Sequence, residues 1–241
     1  IASSLSPIEI LVCLYYGEIL FFDENYKDNP DRDRLILSKG HGSLAIYPIL
    51  ADKGFFSQKQ LELICEKNSI LGSIPDPNVP GIETINGSLG HGLGVSCGIS
   101  IALEKKSINR FVFCLVGDGE LNEGSVWEAI MFAGHNKLKN IIMIVDRNTK
   151  SMLGKTKDII SNKNLKDTMK TFEWNCFEVN GHDIKEVYGA LDKIKSSNSD
   201  MPSCLICNTI KGKGISKFEE SDICHVLSLN KEEIKKIIDE Y

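Results

Sequence analysis

The sequence predicts an α/β domain with a mostly parallel sheet and helices on both faces. Two short apolar and β-branched runs, residues 111–116 and 141–145, flank a segment at residues 123–138 whose apolar side chains recur at helical spacing. Such a strand–helix–strand unit is the building block of parallel sheets. The chain has 241 residues, of which 42% are hydrophobic and 25% charged, so we expect one domain with a substantial core over residues 1–241.

The first part of the chain contains a helix, a strand and a long irregular segment. Pro7 in a first turn and Glu9 near the positive end of the helix dipole predict a helix from Ser6 to Leu20. Residues 71–85 are rich in Pro, Gly and Asn, which predicts a surface or site-lining loop. The other predicted elements before the central unit are a polar loop at 23–33, a strand at 35–37, helices at 43–53 and after Ser57, and a glycine-rich helix at 90–104.

The second part continues the alternation of strands and helices. The predicted elements are, in order, a helix at 165–172, a strand at 175–179, a helix at 183–194, a strand at 204–210 and a charged helix from Lys231. Strands that alternate with helices in this way favour further parallel strands in the same sheet. The sequence contains no internal repeat and no obvious linker.

Composition excludes several classes of function. The net charge is −5, from 28 basic and 33 acidic residues, and the lysines at 163–170 and 231–236 alternate with acidic or apolar residues, so no nucleic-acid partner is expected. No apolar run has the length of a transmembrane helix and no signal sequence is evident, which predicts no membrane partner. Because the chain begins with Ile rather than Met, we expect further residues upstream.

Cysteine usage indicates a reducing compartment. The eight cysteines are spread through apolar runs and lack the dense spacing of a small secreted scaffold, so we expect a cytoplasmic protein. Cys204 and Cys207 form a C-x-x-C pair in a predicted buried strand, without a second pair at zinc-site spacing. We interpret them as buried structural thiols.

Two polar residues follow the strands of the central unit. Asp118 comes soon after the first strand, and Asn148 follows the second. In parallel sheets ligands bind at the carboxyl ends of the strands, where Gly117 and Gly119 let the backbone approach an anion. Carboxylate and amide oxygens suit Mg²⁺, which keeps coordination positions open for phosphate oxygens. With a helix dipole beginning near Glu123, the pattern predicts a metal site beside a diphosphate.

These residues resemble a known family. Gly-Asp-Gly at residues 117–119 with Asn148 beyond it resembles the thiamine diphosphate motif, and Gly-Asp-Gly-Glu-Leu-Asn-Glu-Gly at 117–124 resembles transketolases. Ser-Lys-Gly-His-Gly-Ser at 38–43 and Gly-Ser-Leu-Gly-His-Gly-Leu-Gly at 87–94 resemble the same family in the same order. The resemblance covers nearly the whole chain and implies the thiamine diphosphate-binding fold, in the form that binds the diphosphate (a PP-type domain).

The resemblance implies a set of metal and cofactor ligands. Asp118, Asn148 and the backbone carbonyl of Lys150 would hold Mg²⁺, with Ca²⁺ or Mn²⁺ as substitutes. His41 would hydrogen-bond the phosphates, and Leu89 would present its backbone to the aminopyrimidine. The complete set implied to bind thiamine diphosphate is His41, Gly87, Leu89, Gly117, Asp118, Gly119, Glu120 and Asn148.

Four residues are implied to act in catalysis, and each has a structural alternative. His41 lies between two glycines of a matched motif, and His91 occupies a position where many relatives carry Gln. Glu123 matches a glutamate that links two active sites across a subunit interface; alternatively it stabilises a helix N-terminus. His225 follows the basic loop at residues 211–214, in a region where relatives have a histidine next to the thiazolium and phosphates.

One departure from the family concerns the substrate. Relatives carry Gly-His-Pro in the loop before the glycine-rich helix, where the histidine contacts the donor's hydroxyls. This chain instead reads Gly-Ser-Ile-Pro at residues 72–75. Because Ile74 cannot donate a hydrogen bond, we expect a changed or less polar donor.

A second departure concerns completeness. Thiamine enzymes need a glutamate from a pyrimidine-binding domain, for which 241 residues leave no room. The chain therefore resembles the N-terminal subunit of a split transketolase, which would transfer a two-carbon ketol unit from a ketose, expected to be a phosphate, to an aldehyde. We expect a heterotetramer with a C-terminal subunit that supplies the glutamate. The alternatives are the α subunit of a 2-oxoacid dehydrogenase or acyloin-forming enzyme, and a non-catalytic partner subunit.

Overall fold

Five parallel strands form one sheet in the computed structural model, which describes residues 1–22, 29–152, 154–161 and 164–240. The strands of this sheet are β1 (Arg34–Leu37), β2 (Val112–Gly117), β3 (Ile141–Arg147), β6 (Asn175–Asn180) and β7 (Ser203–Asn208). Between β3 and β6 in the chain, β4 (Lys150–Ser151) and β5 (Gly154–Lys155) form a separate antiparallel hairpin. The order across the sheet is β1-β2-β3-β7-β6, so β3 lies at its centre. The predicted parallel sheet is confirmed.

Helices connect these strands. The α-helices are α1 (Ala2–Leu5), α2 (Ile8–Tyr16), α3 (Ile46–Asp52), α4 (Gly92–Lys105), α5 (Gly124–His135), α6 (Thr156–Ile159), α7 (Leu165–Thr171), α8 (Ile184–Lys195), α9 (Ser216–Glu219) and α10 (Lys231–Glu240). Short 3₁₀ helices span Gly40–Ala45, Gln58–Leu63 and Gly119–Asn122. Within the described part of the chain, no helix is long and apolar enough to cross a membrane.

Both faces of the sheet are covered, as the apolar strands predict. Phe113 and Leu115 of β2 belong to a buried cluster with residues of α2, α3 and α8. Cys114 and Val116 point to the opposite face and belong to a second cluster, with residues of α4, α5 and α7. This alternation follows from the two-residue period of a strand and leaves the carboxyl edge of the sheet free for a ligand.

Three predicted elements differ from the structure. The helix predicted at 6–20 is present but shorter: α2 begins at Ile8 and ends at Tyr16, because Gly17 follows it and Glu18 has φ 56°. The helix predicted at 43–53 begins as a 3₁₀ turn, and the one after Ser57 is 3₁₀ throughout. Residues 23–28 of the predicted polar loop, and residue 163 of the first lysine-rich segment, lie outside the described residues.

The irregular segment at 71–85 and the buried thiols agree with expectation. Residues 71–85 contain no helix or strand, although Leu71 and Val79 are buried and the loop therefore covers the core. All eight cysteines are free thiols, and burial raises the pKa of Cys207. Cys204 and Cys207 lie in different core clusters, which supports a structural role for both.

Candidate active site

A cavity opens at the carboxyl ends of β1, β2 and β3. Its volume is about 290 Å³, and it lies where parallel sheets bind ligands. Of the twelve predicted site residues, ten line it: His41, Leu89, Gly117, Asp118, Gly119, Glu120, Glu123, Asn148, Lys150 and His225. The fold thus brings together segments that are far apart in the sequence.

Asp118 directly follows β2, and its nearly buried carboxylate is oriented by three donors. Oδ1 accepts from the Gly119 N–H at 3.0 Å, while Oδ2 accepts from the Thr149 N–H at 2.9 Å and the Thr156 hydroxyl at 3.1 Å. Burial, followed by the charge of Asp146, raises the pKa of Asp118. A carboxylate in such surroundings favours a bound cation, which would stabilise its ionised form.

Asn148 and Lys150 follow β3 and present oxygens to the same cavity. The Asn148 Oδ1 accepts from the Lys150 N–H at 3.2 Å, and its Nδ2 donates to Oδ2 of Asp146 at 3.3 Å. The Lys150 carbonyl accepts from the Lys211 ammonium at 3.0 Å. The ammonium of Lys150 donates to the carbonyl of Glu219 at 2.7 Å, so the backbone of Lys150 and not its charge is the group available as a ligand.

The residue between them is held in an uncommon conformation. Thr149 has φ 63°, in the left-handed region that β-branched residues avoid. Its N–H donates to Asp118, and its carbonyl accepts from the Thr156 N–H at 3.0 Å. These bonds hold the backbone in a conformation of the kind that concentrates at functional sites.

A buried ion pair that the sequence did not predict lies next to these ligands. Lys39 pairs with Asp146, and their side chains are 1% and 0% exposed. The Lys39 ammonium also donates to the Ser3 carbonyl at 3.0 Å, and Asp146 accepts from the hydroxyls of Ser6, at 2.6 Å, and Thr209. Although burial acts to raise it, Lys39 and the hydroxyl donors lower the pKa of Asp146. Asp146 also fixes the Asn148 amide.

Glu120 joins three segments of the site. One carboxylate oxygen accepts from the Ser38 hydroxyl and, at 2.9 Å, from the Gly90 N–H, and the other accepts from the Gly117 N–H at 3.1 Å. Burial raises the pKa of Glu120. Because protein donors occupy both oxygens, we interpret Glu120 as a residue that positions these segments; its predicted contact with the cofactor stays a prediction.

His41 and His225 both line the cavity, and their rings lie next to each other. Their ring centroids lie 5.4 Å apart in an edge-to-face arrangement. Burial and the cation of Lys39 lower the pKa of His41 to about 3, and burial and Lys211 lower that of His225. Both imidazoles are therefore neutral at pH 7, with one N–H donor and one acceptor nitrogen each.

The turn that carries His41 requires a glycine. A Cβ at Gly40 would lie 1.7 Å from the carbonyl oxygen of Asn86, so only glycine allows this approach. Gly40 thereby brings the segment at 38–43 against the end of the irregular loop. The contact explains in physical terms why the glycine that precedes His41 is needed for the site.

Lys211 is a second basic residue of the cavity that the prediction omitted. It is 3% exposed. Its ammonium lies 3.0 Å from the Lys150 carbonyl and 3.0 Å from Nδ1 of His225. Burial, followed by the charge of Lys39, lowers the pKa of Lys211 to about 8, so the ammonium form still predominates at pH 7.

Gly87 and His91 do not line the cavity. Gly87 is exposed, and a Cβ there would lie 3.0 Å from Cδ1 of Ile74. His91 is exposed and lines a separate groove between α4 and α5. These two predicted residues therefore lie apart from the other ten.

Glu123 lines the cavity immediately before α5, a position compatible with both of its predicted roles.

Four site residues were missed, although each left a signal in the sequence. Lys39 stands inside the Ser-Lys-Gly-His motif, Asp146 lies two residues before Asn148, and Lys211 opens the basic loop at 211–214. Asn122 stands inside the motif at 117–124; its Oδ1 is buried and accepts no hydrogen bond from the described residues. Pairing between distant segments cannot be read from local spacing, which is why Lys39 and Asp146 were not connected.

Comparison with known proteins identifies the family. The family model described as "Transketolase, thiamine diphosphate binding domain" matches residues 3–241. The chain belongs to the transketolase family. Its domain is a thiamine diphosphate-binding domain, and transketolases use a divalent metal with this cofactor.

Similar transketolases include single subunits as well as complete enzymes. The chain is 35% identical over 241 residues to a 6-deoxy-6-sulfo-D-fructose transketolase subunit (SqwG) of Clostridium sp. strain MSTE9, covering 100% of this chain and 87% of that protein. It is 36% identical over 219 residues to one of the subunits of the apulose-4-phosphate transketolase of Phocaeicola vulgatus, covering 91% of this chain and 77% of that protein. The crystal structure of Campylobacter jejuni transketolase matches with TM-score 0.88 and 32% identity, covering 98% of this chain and 38% of that enzyme.

The residues present in the cavity fit thiamine diphosphate and a divalent metal. Asp118, Asn148 and the Lys150 carbonyl offer only oxygen donors, which suits Mg²⁺. Lys211 adds a positive charge for a diphosphate. The buried Oδ1 of Asn122, without a donor in the described part of the chain, lines the same cavity and could accept a hydrogen bond from a ligand.

Proposed function

We propose that this chain is the N-terminal subunit of a two-chain transketolase. The assembled enzyme would transfer a two-carbon ketol unit from a ketose phosphate to an aldehyde. The observation that carries the proposal is that three oxygen donors and the Lys211 cation converge on one cavity. The chain that carries them matches transketolase subunits over most of their length.

The names of two relatives support a partner subunit. Both are named as transketolase subunits, and this chain covers 87% and 77% of them. We infer that a C-terminal transketolase-like subunit carries the pyrimidine-binding domain and its glutamate, and that two copies of each chain form a heterotetramer in the cytoplasm. Glu123, exposed at the start of α5, would contribute to the link between sites in this assembly.

The residues of this chain would position the reactants and supply charge. When bound, thiamine diphosphate supplies the nucleophile and the electron sink for cleavage beside a carbonyl. Asp118, Asn148 and the Lys150 carbonyl would hold the metal, and Asp146 would keep the Asn148 amide in its orientation. His41, neutral at pH 7, would donate its one N–H to a phosphate oxygen without adding charge.

The donor is proposed to differ from that of pentose phosphate transketolases. Ile74 is 41% exposed. Its carbonyl accepts from the Tyr47 hydroxyl at 3.1 Å, and the adjacent Ser73 carbonyl accepts from the Ser43 hydroxyl at 3.2 Å. The loop is thus fixed to α3 and to the 3₁₀ helix that contains His41, with the Ile74 hydrocarbon beside Gly87. A donor with fewer hydroxyls at this contact is favoured.

Calorimetry tests the proposal directly. Thiamine diphosphate with Mg²⁺ is titrated into the chain alone and into its mixture with the C-terminal subunit. We expect binding that requires, or is strongly tightened by, the partner, followed by ketol transfer in a screen of ketose phosphates. An absence of binding in both mixtures would refute the assignment and favour a non-catalytic subunit. Decarboxylation of pyruvate with a lipoyl partner would instead support the 2-oxoacid dehydrogenase alternative.

A further inference from the structure

Two of the cysteines lie side by side in the sheet. Cys176 of β6 and Cys204 of β7 are register partners on neighbouring parallel strands, so one strand spacing of about 4.8 Å separates their Cα atoms. This separation falls within the range of about 4.4–6.8 Å over which a disulfide can bridge two residues. No other two cysteines of the described strands are register partners.

The two thiols also share one face of the sheet. Cys204 belongs to the buried cluster that includes residues of α4, α5 and α7, and Cys176 packs against the same cluster. Cys207, the other member of the C-x-x-C motif, belongs to the cluster on the opposite face. A hydrogen bond joins the thiols of Cys176 and Cys204. The thiol neighbour of Cys204 therefore lies on the adjacent strand and not in its own motif.

Access and acidity differ between these two thiols. Cys204 is 0% exposed, whereas Cys176 is only partly buried, on the strand at the edge of the sheet. The hydrogen bond with Cys204 lowers the pKa of Cys176, and Lys166 and Lys170 act in the same direction, although burial opposes them. The same hydrogen bond and burial raise the pKa of Cys204. The thiol that a reagent can reach is thus also the one that ionises more easily, as at redox-active cysteines.

We propose that Cys176 and Cys204 are a peroxide-sensitive thiol pair, in which Cys176 is oxidised first and Cys204 then converts it to a disulfide between β6 and β7. In a reducing compartment such disulfides are transient and redox-sensing. Neither residue lines the cavity that contains Asp118. The pair would therefore react whether or not the proposed function holds.

The oxidant is hydrogen peroxide, and the reaction takes two steps. The Cys176 thiolate attacks one peroxide oxygen, so that an S–O bond forms, the O–O bond breaks and hydroxide leaves. The Cys204 sulfur then attacks the sulfur of the resulting sulfenic acid. The S–S bond forms, the S–O bond breaks, and the Cys204 proton leaves with the hydroxide as water. In total the two thiols lose two hydrogens, and one peroxide is reduced to two water molecules.

The cross-link would act on the edge of the sheet. β6 is its last strand and pairs with β7 alone among the described strands. An edge strand can open locally without unfolding the rest, and a covalent bond to its one neighbour restricts that opening. Amide hydrogens of β6 should therefore exchange about tenfold more slowly in the oxidised chain than in the reduced chain.

The test treats the reduced full chain with hydrogen peroxide and compares Cys204→Ser with Cys65→Ser. Serine at position 204 keeps a hydrogen-bond donor beside Cys176 but cannot form a disulfide, and Cys65 is an exposed cysteine on another segment. Disulfides are mapped by mass spectrometry of peptides, and dimedone in a parallel sample labels sulfenic acids. Cys204→Ala replaces the serine variant if that variant does not fold.

For the unmodified chain we expect a disulfide between Cys176 and Cys204, a mass loss of two hydrogens and reversal by dithiothreitol. Cys65→Ser should form the same disulfide to the same extent. Cys204→Ser should form none, and its dimedone adduct at Cys176 should increase at least about fivefold because the sulfenic acid is no longer resolved.

Three results would overturn the proposal. If peroxide leaves Cys176 and Cys204 as free thiols while Cys65 is oxidised, exposure alone decides which cysteine reacts. If Cys176 forms its disulfide with a different cysteine, Cys204 is not its partner. If Cys204→Ser leaves the amount of dimedone adduct at Cys176 unchanged, Cys204 does not resolve the sulfenic acid.

Discussion

The two central strands each lead to a buried carboxylate, and the surroundings of these carboxylates differ. Asp146 of β3 pairs with Lys39 and accepts hydrogen bonds from Ser6 and Thr209, and despite burial its pKa is lowered. Within the described ranges, Asp118 after β2 accepts hydrogen bonds only from neutral donors, and burial and Asp146 raise its pKa. One sheet edge therefore carries one carboxylate that the protein neutralises and one that it does not.

This difference teaches how a ligand site is distinguished from a structural network. A buried pair with all its hydrogen bonds made has little to gain from a ligand, whereas a buried carboxylate without a cation gains from a metal. The two are connected through Asn148, whose amide donates to Asp146. The network of Lys39 and Asp146, which we call the closed network, thus supports the ligand site around Asp118, which we call the open site. Each should respond differently to substitution.

The largest effect is expected for Asp118→Asn. The amide keeps the shape of the side chain but loses the charge that would hold the metal, so affinity for thiamine diphosphate with Mg²⁺ and turnover of the assembled enzyme should fall by at least about a thousandfold. The free energy of unfolding measured in a chelator should rise, because burial and Asp146 disfavour the ionised form that is removed. Unchanged turnover would refute the metal assignment.

Asp146→Asn should lower the free energy of unfolding, whereas Asp118→Asn should raise it. The Asp146 substitution leaves the Lys39 ammonium buried without a counter-charge, which is expected to lower the free energy of unfolding by about 3–5 kcal/mol in urea denaturation. Lys39→Met combined with Asp146→Asn should recover much of this loss. The control is Glu178→Gln, which breaks the partly exposed ion pair with Arg147. Arg147 lies on the same strand as Asp146, and the loss of this pair should lower the free energy of unfolding by no more than about 1 kcal/mol. Equal losses for both single variants would contradict the comparison.

The sequence predicted the carboxylate of the open site, Asp118, far better than that of the closed network, Asp146. Asp118 and Asn148 were found because each follows an apolar strand and belongs to a matched motif. Lys39 and Asp146 are 107 residues apart, and only the folded sheet places β1 beside β2 and β2 beside β3. Their pairing depends on tertiary contacts, for which local periodicity holds no information.

The predicted helices show the same limit. Long periodic segments such as α5 and α8 were found within a few residues of their observed ends, whereas the helix at 6–20 was extended past Gly17. The short elements α1, α6 and α9 and the hairpin of β4 and β5 were not predicted, because two- to four-residue elements have no measurable period. The hairpin follows Asn148 and carries Lys150, so part of the site is built from such an element.

A pH series sharpens the comparison through His41, which lies beside the Lys39 of the closed network and lines the open cavity. Its pKa is about 3 in the folded chain and about 6.5 when unfolded. The unfolded chain therefore binds the proton first, and stability is lost as pH falls from about 6.5 towards 3, by at most about 1.4 kcal/mol per unit. His41→Asn should remove this contribution to the slope in urea denaturation between pH 6 and 4. His135→Asn, at an exposed position in α5, is the control and should leave the slope unchanged.

The smallest effect concerns the rim of the site, where this chain has Ile74 and the family resemblance implies a hydrogen-bonding histidine. Ile74→His restores a donor on a loop fixed to Tyr47 and Ser43, so kcat/KM for donors with a hydroxyl at this contact should rise about fivefold relative to the donor that the enzyme prefers. The Kd of thiamine diphosphate should not change, because Ile74 does not line the cavity that contains Asp118. Ile70→His, on another exposed isoleucine, controls for the added charge and hydrogen-bonding capacity. If both variants shift donor preference equally, or Ile74→His weakens the cofactor instead, Ile74 does not read the donor, and specificity must come from the partner side of the site.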